Sequence, residues 1–206
     1  MNKIRETFRS DSRYMPFLLS ILIIGLGHGL YKGMLDNYLA EVVHMGEMDR
    51  GVTEFFRELP GIALVFILAV FYTLSAETLY KAGAVIMLCG MGMQAILPPE
   101  KVFVTLAICI YSLGEHIQLG MKSSLTMSYA REGRGGVALG VQSSVSQVGT
   151  LVGYLAIVLG AYCCFEEEIG VGIGIIVAVI GFALKLLAGF ISQKKSEKEA
   201  KKNQTV

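Results

Sequence analysis

The sequence predicts an all-α integral membrane protein, and three observations carry that prediction. The 206 residues are 53% hydrophobic and only 17% charged, whereas ordinary soluble domains carry about 25% charge. The charges cluster at residues 1–13, in short gaps, and at 193–202. Between the gaps lie apolar stretches of about 20 residues, the length that crosses a bilayer as helix. These stretches lack the period-2 alternation of a barrel strand, so helices are expected.

Six spans follow in order: 15–43, 51–75, 81–97, 102–129, 137–162 and 169–191. The first opens after a basic tail. It is too long for the apolar core of a signal peptide and has no A-x-A-like cleavage site, so a retained helix is expected. The second carries Glu54, Arg57, Glu58 and Pro60 at its front, and Pro60 predicts a kink just past the charges. The third is the shortest, and the first and fourth exceed a straight crossing, which predicts tilt. The fifth holds Gly149 and Gly153 as a G-x-x-x-G pattern suited to close helix packing. The sixth is Gly-rich at its start and carries Lys185 near its end, where a lysine can snorkel. The expected organisation is a tail at 1–14, a membrane domain at 15–192 and a basic tail at 193–206.

Sidedness follows from Lys and Arg. The two tails and the 2–3 and 4–5 gaps hold twelve of them, against Arg50 and Lys101 alone on the other side. The positive-inside rule then puts both termini in the cytoplasm, which suits a plasma-membrane protein with an even number of spans. Cys89 and Cys109 fall within spans and read as packing residues. Cys163 and Cys164 are adjacent, and no metal-ligand spacing is present. No metal or other cofactor is expected. No soluble domain separates the spans, and nucleic acid is not an expected partner.

The informative residues are the charges inside the spans, because an unpaired charge at mid-bilayer costs at least ~2.5–3.5 kcal/mol. His28, Lys32 and Asp36 recur at i, i+4 and i+8 on the first helix. Glu54, Arg57 and Glu58 share a face of the second. Glu115, Gln118 and Lys122 recur at i, i+3 and i+7 on the fourth. At ~1.5 Å per residue, Glu115 comes level with His28 near the middle of the membrane. The three stripes are expected to meet as a polar lining from the centre to the outer face. A set of structural ion pairs is the competing reading.

Six helices with cytoplasmic ends, polar first and fourth helices and a Gly-rich fifth resemble the N-terminal half of a major facilitator superfamily transporter. The stretch REGRGGVALG leading into GTLVG, with Arg134, Gly135, Ala138 and Gly140, is similar to that family's 4–5 loop and fifth helix. GHGLYKGMLDNYLAEV is similar to the outer end of its first helix. Departures accompany the likeness. In the 2–3 loop TLSAETLYKAG, Leu74, Ser75 and Lys81 fit the family signature, but Ala76 and Glu77 stand where Asp and Arg are usual. On the fourth helix Glu115 replaces the family's Arg, Gln118 remains, and Gly120 comes one residue late.

The resemblance implies a secondary transporter of a small solute. It also implies a partner, either a second copy or a complementary six-helix half, because one half covers only half of that architecture. The solute or ion pathway would use His28, Lys32, Asp36, Arg57, Glu58, Glu115, Gln118 and Lys122. Glu115 would bind a proton or cation, with His28 as relay. Lys32, Arg57 and Lys122 would hold an anionic group or neutralise carboxylates. The alternative is a non-transporting subunit, sensor or transporter fragment. An intramembrane enzyme ranks below both, since no His-Glu-x-x-His, Gly-x-Ser-x-Gly or P-loop pattern occurs.

Overall fold

A computed structural model describes residues 7–8 and 13–163. The sixth apolar segment at 169–191, Lys185, Cys164 and the basic tail at 193–206 lie outside the described residues, as does most of the N-terminal tail. Among the described residues the protein is all-helical. It has five helices: α1 (Tyr14–Asn37), α2 (Glu47–Val70), α3 (Ala76–Ile96), α4 (Lys101–Tyr129) and α5 (Gly135–Cys163). A π turn at Tyr38–Val42 extends α1.

Four of the five are long and apolar enough to cross a membrane: α1 with its π turn, α3, α4 and α5. Helix α2 falls short of that apolarity because Glu54, Arg57 and Glu58 stand inside it. The protein is thus built largely of helices of membrane-spanning length and apolarity.

Several boundaries sit one turn from those read from hydropathy, and capping explains the difference. Helix α2 begins at Glu47 rather than near residue 51. Asp49 Oδ2 accepts the Gly46 N–H at 3.0 Å, and acidic residues in the first turn favour the positive end of the helix dipole. Helix α3 begins at Ala76 rather than near 81. There Ser75 is the N-cap, its Oγ accepting the Thr78 N–H at 3.2 Å. A polar first turn is invisible to an apolar window but is helical all the same. Pro98 and Pro99 separate α3 from α4, and Gly133, at φ +74°, turns the chain before α5. Helix α2 continues through Pro60 to Val70.

Glycines decide which helices pair. Helix α1 runs along α5, and α3 along α4, while α2 lies on α4. At the first seam Gly25 and Gly29 face Gly149 and Gly153. A Cβ on Gly29 would overlap the Thr150 carbonyl, and one on Gly153 would overlap the Leu26 carbonyl. At the second seam Gly83 faces Gly114 and Gly90 faces Tyr111. With only hydrogen at these positions the backbones approach closely, which substitutes dispersion for the missing hydrophobic drive between helices in lipid.

Two apolar clusters then tie the pairs together. One, at the end that holds Phe8, joins Phe8, Tyr14, Phe17, Ile21, Tyr80 and Leu125. The other, toward Asp49, joins Leu30, Tyr31, Leu35, Met87, Ile108 and Tyr111. The Phe8 end is also closed by hydrogen bonds. The Arg131 N–H donates to the Thr7 carbonyl at 3.0 Å, and Arg131 Nε donates to the Phe8 carbonyl at 2.9 Å. Residues 7–8 and the α4–α5 turn therefore share one end of the bundle.

Candidate functional site: a polar cluster between two apolar layers

His28 lies on α1 between the two apolar clusters, and Glu115 meets it from α4. A constant rise of ~1.5 Å per residue predicts one level for these two residues, and in the structure their side chains meet. His28 Nδ1 is 3.5 Å from Glu115 Oε1, and Lys32 Nζ is 4.0 Å from Glu115 Oε2. The His28 and Lys32 stripe at i, i+4 thus closes on one carboxylate. Tyr111, one turn before Glu115, places its hydroxyl 3.1 Å from His28 Nδ1. Its ring leans on Tyr31 at 4.1 Å between centroids, and Tyr31 accepts a 2.6 Å hydrogen bond from Gln94 on α3. Glu115 and Lys32 are largely but not wholly buried, with side-chain exposures of 17% and 18%.

Lys122 points toward α5, donating to Ser146 Oγ at 3.4 Å. No carboxylate lies within 4 Å of it among the described residues. One turn further on, Thr126 donates to Gln142 Oε1 at 3.4 Å. These bonds join α4 to α5 beside the apolar packing of Leu125 and Ala138.

A second group of charges sits on the α2 side of α4. Arg57 is the hub. Its Nη2 is 2.6 Å from Glu54 Oε2 and 3.1 Å from Glu58 Oε1. Glu58 Oε2 in turn lies 3.8 Å from His116 Nε2. Ser112 Oγ donates to the Arg57 carbonyl at 2.5 Å, next to the carbonyl that Pro60 leaves without its usual intrahelical donor. The α2 charges thus engage α4 instead of facing the α1 stripe. The two groups meet side by side at the neighbouring residues Glu115 and His116.

Two residues of the expected pathway fall elsewhere. Asp36 is exposed at the end of α1 and is engaged through its backbone carbonyl, which accepts from Arg50 at 3.0 Å. Eight residues from His28 the helix has turned away from the stripe, since a 3.6-residue period drifts over two turns. Gln118 is buried in the α3–α4 seam, donating to the Tyr80 carbonyl at 3.0 Å, and lies against Gly83. It serves helix packing there. Gly149 and Gly153 form a packing seam, and their partners are the Gly25-x-x-x-Gly29 of α1.

Tyr31, Gln94, Tyr111, Ser112 and His116 belong to these groups but lie outside the three sequence stripes. In YSLGEH a signal was present: Tyr111 with Glu115 and Ser112 with His116 are both i, i+4 pairs. No group of three or more metal-ligating side chains occurs among the described residues. No protein-family model matches the chain, and no curated protein matches it in sequence.

Proposed function

We propose that the chain is a six-helix half of a major-facilitator-type secondary transporter. It moves a small solute by alternating access after pairing with a second copy or a complementary half. Both termini face the cytoplasm in this reading, and the protein resides in the plasma membrane. The observation that carries it is the contact of Glu115 with His28 and Lys32 among apolar helices, beside the Tyr31–Tyr111 pair. A carboxylate, an imidazole and an ammonium at that depth are costly unless they bind something or pair, and a 4.0 Å contact is a loose pair. Glu115 exchanges a proton or cation, His28 relays it, and Lys32 and Lys122 hold an anionic group of the solute. The Arg57 triplet forms the rim toward the outer face.

The test is proton movement in vesicles containing the full chain, with a pH-sensitive dye inside and a panel of small organic anions, sugars and amino compounds outside. At least one solute is expected to change the luminal pH, and Glu115→Gln to abolish that change. No response to any solute, or an undiminished response in Glu115→Gln, overturns the reading.

A further inference from the structure

His116 has one nitrogen whose role the backbone fixes. Its Nδ1 lies 2.9 Å from the Ser112 carbonyl and 3.1 Å from Ser112 Oγ. A carbonyl oxygen only accepts, so Nδ1 carries a hydrogen and donates. In the neutral ring Nε2 is therefore bare, and it faces Glu58 Oε2 at 3.8 Å. Two acceptors point at each other across a gap too long for a hydrogen bond. One proton on Nε2 converts that gap into a charge-assisted bond.

The surroundings suit such a change. Gly61 abuts the ring, and a Cβ there would come within 2.6 Å of Nε2. The ring thus sits against bare backbone one residue past Pro60, where α2 has lost an intrahelical donor. Glu58 is shared: Oε1 holds Arg57 at 3.1 Å and Oε2 is left for His116. The charges facing His116 from α2 are Glu58, with Arg57 and Glu54 behind it, and on α4 its neighbour is Glu115. Helix α5 carries no charged side chain among the described residues, and those of α3, Glu77 and Lys81, stand in its first two turns.

We propose that His116 and Glu58 form a second proton-binding site, separate from the Glu115 group, that latches α2 to α4 when protonated. The imidazolium form gains the bond to Glu58, so a proton on Nε2 closes the latch and its loss releases it.

The experiment uses the full chain in nanodiscs, with its native cysteines replaced by alanine and spin labels at Phe66 on α2 and Leu119 on α4, both exposed and both past the latch from the Asp49–Lys101 tie. The interlabel distance is followed as the medium is acidified from neutral pH. A single step is expected, with the shorter, narrower distance at acidic pH. His116→Gln and Glu58→Gln should each abolish the step. Glu58→Gln keeps the ring and its bond to Ser112, so it tests the latch even where His116→Gln does not fold. His28→Gln and Glu115→Gln should leave the step in place. A pH-independent distance, a step that survives Glu58→Gln, or one removed by Glu115→Gln alone overturns the proposal.

Discussion

Asp49 shows how much a single contact at the bundle's end can be read. Its carboxylate takes a hydrogen bond from Lys101 Nζ at 2.6 Å and another from the Gly46 N–H. It stands before the apolar part of α2, and the Lys101 ammonium, with help from Gly46, holds its carboxyl below the ordinary value of 3.8. A depressed carboxyl strengthens the fold above its ordinary pKa and loses that contribution as pH falls through the folded value. The tie between the starts of α2 and α4 should therefore persist at neutral pH and open in acid. In a carboxyl-carbon NMR titration, Lys101→Met should raise the Asp49 midpoint toward its ordinary value. The same scale shows why Glu115 and His28 were legible from sequence and His116 was not. Counting residues gives depth along a helix. It does not say that α2 covers the adjacent face of α4, which is what makes His116 more than a neighbour of Glu115.

At the scale of elements, glycine position outweighs glycine content. Gly29 and Gly120 both lie inside long apolar helices. A Cβ at Gly29 would overlap the backbone of α5, while one at Gly120 meets nothing within 4 Å. Gly29→Ala is expected to destabilise the bundle by about 1–3 kcal/mol, the usual cost of overpacking. Gly120→Ala should stabilise it by about 0.5–1 kcal/mol, as a helix interior gains from the lost backbone freedom. Unfolding in mixed detergent micelles, followed by circular dichroism, separates the two. Equal effects would mean that the α1–α5 seam is looser than the glycine contacts imply. The G-x-x-x-G of α5 was visible in sequence, but its partner was not, because such motifs are common and pairing depends on which faces the chain brings together.

At the scale of the whole molecule, the main fact among the described residues is the distribution of apolar surface. On α2, Ile62, Val65, Phe66 and Val70 are each more than two-thirds exposed. On α5, Leu151, Leu155, Val158 and Leu159 are exposed as well. Lipid, or a second half, covers such faces in a membrane protein. The proposed topology makes a direct prediction. A cysteine at Glu132, beside the N-terminal residues, should react with an impermeant maleimide only from the cytoplasmic side. One at Met48, on the opposite end, should react only from outside. The reverse pattern would invert the reading of the basic residues.

Composition, run length and charge placement by themselves determined that this protein is helical and built of runs apolar enough to cross a membrane, since lipid accepts only apolar runs with internally bonded backbones. They also determined the level at which His28 and Glu115 stand, since the rise of a helix is constant. Tertiary structure alone decided which charges touch. It closed His28 and Lys32 on Glu115, drew the Arg57 triplet to Ser112 and His116, buried Gln118 in a helix seam and left Asp36 in the open. The physical reason is that rotation about a helix axis and the choice of neighbour are set by glycine seams between distant segments. A stripe of spaced residues along one segment does not contain that information.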